Sequence, residues 1–82
     1  MITPNTEIGA ITTTTLRALR RHVEEAAAIA RAAEACVADG QPTRALTIAL
    51  DIEPLAVEAN QLLQGLAVLT RIAGRAQDEP VP

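Results

Sequence analysis

The sequence predicts an all-α chain: an antiparallel helical hairpin, helices over about 15–38 and 43–75, expected to dimerise into a four-helix bundle. Three observations carry that prediction. Of 82 residues, 17 are Ala, 9 are Leu and 49% are apolar, a composition that favours helix. Two long stretches place apolar residues at alternating spacings of three and four, as a helix buried on one face does. Between them lies Asp39-Gly40-Gln41-Pro42. Glycine suits the left-handed residue that ends a helix, and proline suits the first turn of the next.

Residues 1–14 carry Pro4, Gly9 and the start of the run Thr12 to Thr15, and read as an irregular segment before the hairpin domain at 15–76. A threonine of the run can cap the first helix. Its seam is Leu16, Leu19, Val23, Ala26, Ala30, Ala33 and Val37, an unbroken heptad series. Arg17, Arg21, Glu24, Glu25 and Arg31 fall outside that series. Arg20 with Glu24 and Arg21 with Glu25 are i,i+4 pairs, each worth about 0.2–0.5 kcal/mol. His22 and Cys36 flank the seam.

The second helix repeats the pattern at Ala45, Ile48, Ile52, Leu55, Ala59, Leu62, Leu66, Leu69, Ala73 and Ala76. The series keeps phase through Pro54, which removes a helical donor and clashes with the preceding turn. The helix is therefore kinked or broken at Pro54. Continuity is the preferred reading, because an unrelated helix has no reason to inherit the phase. Residues 77–82, Gln-Asp-Glu-Pro-Val-Pro, have the composition of a disordered tail.

An Ala-rich pair buries little area per residue, so the hairpin needs company. Leu46, Leu50 and Val57 form a second apolar stripe that one partner helix cannot cover. With the turn near residue 40, residue i lies level with about residue 81 − i. Leu66, Leu69 and Ile72 then overhang a first helix that starts at 15, by roughly 15 Å at 1.5 Å per residue. Ile8 and Ile11 are at the right distance to fold over them. The expected partner-binding residues are Leu46, Leu50, Val57, Leu66, Leu69 and Ile72, and the partner is another protein or a second copy.

Several chemistries are excluded by composition. The chain has no Phe, Trp, Tyr, Lys or Ser, so it lacks a base-stacking platform, a Schiff-base lysine and a serine nucleophile. His22 and Cys36 lie too far apart on one helix to share a metal, and no CxxC or HxxxH occurs. The glycines show no phosphate-loop spacing. No cofactor, metal or small-molecule substrate is implied, and an enzyme is not expected. Seven basic against ten acidic residues give a net charge of −3, a poor basis for nucleic-acid binding. The different-class alternative is a dimeric DNA-associated regulator that aligns two Arg17–Arg20–Arg21 patches. A third is a small bundle enzyme whose site is shared across an oligomer. One cysteine, no basic leader and no apolar run longer than Ala26 to Ala30 lead to the expectation of a soluble cytoplasmic protein, with no membrane partner.

Two family resemblances point to protein binding. Gly40 to Ala45, then Ala49-Leu50-Asp51-Ile52-Glu53-Pro54 and Glu58-Ala59, resembles the Gly…Ala…Ala-Leu-x-Leu-Asp-Pro stretch of a tetratricopeptide repeat. It covers about one repeat unit, without that family's aromatics and with the alanines three residues closer. Gly65-Leu66-Ala67-Val68-Leu69-Thr70-Arg71-Ile72-Ala73-Gly74 resembles the end of the second helix in short helical-hairpin co-chaperones of type III secretion needle subunits. Both families bind proteins rather than transform substrates.

Overall fold

The computed structural model describes residues 4–78. It has three helices: α1 over Pro4–Ala38, α2 over Pro42–Ala49 and α3 over Ile52–Asp78. The last two form one return arm, bent at 50–51, that lies antiparallel along α1. No strand occurs among the described residues. Residues 79–82, most of the expected tail, lie outside the described residues, whereas Gln77 and Asp78 close α3.

Residues 4–14 are not irregular as expected but form the first part of α1, and residues 1–3 of that expected segment lie outside the described residues. Thr12 to Thr15 therefore lie inside the helix rather than capping it. Thr14 Oγ1 donates to the Ala10 carbonyl at 3.0 Å and Thr15 Oγ1 to that of Ile11 at 2.8 Å. Hydroxyls satisfied on the preceding turn remove the main competition that such residues offer to helical backbone. Pro4 sits in the first turn, where no intrahelical donor is required.

The turn follows its sequence signal. Gly40 has φ +78°. Gln41 N–H reaches the Cys36 carbonyl at 2.8 Å and Gly40 N–H that of Val37 at 3.0 Å, the paired bonds of a Schellman ending. Pro42 then opens α2. The bend lies one turn before Pro54. The missing Pro54 N–H would have served the Leu50 carbonyl; that oxygen accepts from Glu53 N–H at 3.1 Å instead, and Asp51 N–H tightens onto Ile48 at 3.0 Å. A short stretch of i→i+3 bonding thus bends the arm without throwing α3 out of phase.

The return arm buries the series the sequence predicts: Ala45 is buried, and Ile48, Ile52, Leu55, Ala59, Leu62, Leu66, Leu69 and Ala73 are half-buried. On α1 the seam is rotated from the expected one. Its half-buried series is Ile8, Thr12, Thr15, Leu19, His22, Ala26, Ile29, Ala33 and Cys36, spaced four and three throughout. Leu19, Ala26 and Ala33 are shared with the expected seam and Ala30 is half-buried beside it, whereas Leu16, Val23 and Val37 are exposed. His22 and Cys36 lie on the seam rather than beside it.

The result is a rod of 68 × 20 × 15 Å with a radius of gyration of 18.9 Å. A compact chain of this length has a radius of gyration of about 12 Å. The core sits near the turn, where Ala45, 5% exposed, is the buried apolar residue among those described.

Candidate interaction surface

Ten large apolar side chains among the described residues are 47–71% exposed, Leu46 the most. The expected partner-binding residues divide. Leu46, Leu50, Val57 and Ile72 belong to these ten. Leu66 and Leu69 instead line a groove of about 170 Å³ with Ile8, Thr12, Thr70 and Ala73. The helical start of α1 thus brings Ile8 over Leu66 and Leu69 of the overhang, while Ile72 and Ile11 stay 47% and 51% exposed. This register, Ile8 level with Ala73 and Thr12 with Leu69, is the one the turn position predicts.

The rotated seam sorts the rest of the surface into two dissimilar edges. In an antiparallel helix pair, the side-chain columns flanking the seam on the same side lie next to each other. On one edge α1 presents Gly9, Leu16, Val23, Ala30 and Val37, and the return arm presents Ala49, Ala56, Leu63 and Thr70. That edge carries no charge along its length. The opposite edge joins Ile11, Ala18, Glu25, Ala32 and Asp39 to Arg44, Asp51, Glu58, Gly65 and Ile72. Four carboxylates against one guanidinium make it acidic in its turn-proximal half.

The acidic edge also holds a side-chain contact between the two arms. His22 donates from Nδ1 to the Ala18 carbonyl at 2.7 Å, and its Nε2 pairs with Glu58 Oε2 across the seam. With acceptors at both ring nitrogens, the imidazolium is favoured. The His22 pKa is raised above its ordinary value, chiefly by the Ala18 carbonyl, then by the Glu58 carboxylate, with Glu25 adding to it. Sequence reading placed His22 beside the seam and missed this contact. The register could have found it, since residue 58 lies level with residue 23.

Arg17, Arg20 and Arg21 lie exposed on the outer side of α1. Arg20 Nε stands 3.7 Å from Glu24 Oε1, both groups well solvated, a geometry of little energetic weight. Arg21 and Glu25, the other expected pair, are not within ion-pair distance. Among the described residues no cluster of His, Cys, Asp and Glu could hold a metal ion. No described helix is long and apolar enough to cross a membrane. No protein-family model, curated protein or solved structure matches the chain.

Proposed function

We propose that this chain is a non-catalytic protein–protein interaction module, an adaptor, small chaperone or inhibitor-type regulator that works through exposed apolar helix faces. One observation carries the reading: the chain exposes 6468 Å². An unfolded chain of 8.6 kDa exposes about 12,500 Å² and a compact folded one about 4,700 Å². The hairpin alone buries only about half of its unfolded surface, less than the roughly 60% of a marginal 60-residue domain. A second protein surface supplies the burial the hairpin lacks. Leu46, Leu50, Val57 and Ile72 are four of the ten exposed apolar residues from which the contact is drawn, while Leu66 and Leu69 serve the hairpin's own seam. Both family resemblances point the same way.

The test is dilution, followed by far-UV circular dichroism and sedimentation across the micromolar range. Helicity that rises together with mass, or weak helicity in a monomer at every concentration, supports the reading. The first outcome identifies a self-partner and the second a different protein. A fully helical monomer with a steep melt at all concentrations overturns it.

A further inference from the structure

The proposal that follows rests on the interaction reading and commits to one partner and one face. We propose that two copies of this chain pair through the uncharged edge, with Leu16, Val23, Val37 and Leu63 at the contact, to give a four-helix bundle.

Area is the first argument. The hairpin exposes 6468 Å², about 1,800 Å² more than a compact chain of its mass. An interface of ordinary size takes about 800 Å² from each partner. The surplus is therefore large enough to close a dimer between two rods of this size.

Charge selects the face. The acidic edge brings Glu25, Asp39, Asp51 and Glu58 together with Arg44 and the His22 ring that pairs with Glu58, an excess of negative charge even with the ring protonated, so two copies meeting there set like charges against each other. The uncharged edge carries no such penalty within its own columns, and the charges nearest to it, Arg17 and Arg20 beside Leu16, lie on its outer flank. A surface that is apolar and charge-free along its length is complementary to a copy of itself about a two-fold axis. Side-chain size fits the same contact: Ala49, Ala30 and Ala56 lie together on the turn side of Val23, Leu63 and Leu16, so in a head-to-tail two-fold pairing the large residues of one copy can settle over the small ones of the other. Leu50 and Val57 lie on the outer side of the return arm and stay open in such a dimer.

Analytical ultracentrifugation of the full chain tests this with Leu63→Ala, Val23→Ala and Leu50→Ala. Alanine raises helix propensity at each position, so weakening cannot come from loss of helix. A dimeric wild type is expected, with its dissociation constant raised tenfold or more by Leu63→Ala, less by Val23→Ala, and not by Leu50→Ala. Val23→Glu should leave a monomer. If the dimer weakens with Leu50→Ala and ignores Leu63→Ala and Val23→Glu, the chosen edge is wrong while the interaction reading stands. A poorly helical monomer at every concentration overturns the second-copy proposal alone. A stable helical monomer overturns both.

Discussion

The turn end and the open end of the hairpin are built from the same heptad logic and close differently. Near the turn, Ala45 is buried, level with Cys36, and Gly40 takes a left-handed conformation to bring the arms together. At the open end, Ile8 and Thr12 lie over Leu66, Leu69 and Ala73 and still leave a groove. Small residues let the helix axes close without a void, whereas larger branched ones held apart leave space between them. The anchored end is thus tightly packed and the distal end loosely so, and lesions at the two ends should differ in cost.

The largest expected effect is at the turn end. Ala45→Leu forces extra volume into a site that is 5% exposed and should cost about 2–3 kcal/mol by overpacking, read as a fall in the urea midpoint. Gly40→Ala keeps the packing but puts a Cβ at φ +78°, at a cost of about 1–2 kcal/mol. Leu66→Ala at the open end removes a half-buried side chain that already borders a groove. It should cost about 1 kcal/mol, below the range for fully buried leucines. Leu66→Ala costing as much as Ala45→Leu would erase the distinction between the ends. Amide hydrogen exchange would sharpen it, with protection expected to fade from the open end inward.

The smallest effect is pH-dependent and lies between the two ends. The folded His22 pKa is raised, with the Ala18 carbonyl and Glu58 as the main causes. The protonated ring therefore binds its proton more tightly folded than unfolded. Its contribution is fully present below the ordinary value of 6.5 and is lost as pH rises through the folded value. An NMR titration of the His22 ring should show a midpoint above 6.5. The thermal midpoint should drop as pH passes that value in the wild type and stay flat in His22→Gln. A midpoint at or below 6.5 would mean that the Ala18 carbonyl and Glu58 together do not hold the ring in solution.

The return arm was legible residue by residue because Ile48, Ile52, Leu55, Leu62, Leu66 and Leu69 concentrate in the two seam columns, whereas its other large aliphatic residues are scattered over the remaining five. α1 was legible as a helix but not in its rotation. Its apolar arc is three columns wide, and one partner helix covers two. Periodicity favoured the column with Leu16, Val23 and Val37, and the fold uses the one with Thr15, His22, Ile29 and Cys36. A signal was present at the helix start: run toward the N-terminus, the favoured column reaches Gly9 and the true one reaches Ile8. Taking Thr12 to Thr15 as a helix boundary hid it, because local propensity weighs less than a continuing packed face. The column left over is the one that now makes the uncharged edge. Leu46, Leu50 and Val57 were legible as exposed for the converse reason: they lie off a seam that was correctly placed.

Cys36 gives the closed end a built-in reporter. Its thiol is half-buried in the seam, one step before the residues that form the turn. As the chain's single cysteine, it can be labelled without engineering. A thiol reagent that reacts with it at a rate set by separation of the arms would time those partings directly, and the labelling rate in Ala45→Leu against Leu66→Ala would show which end lets go first.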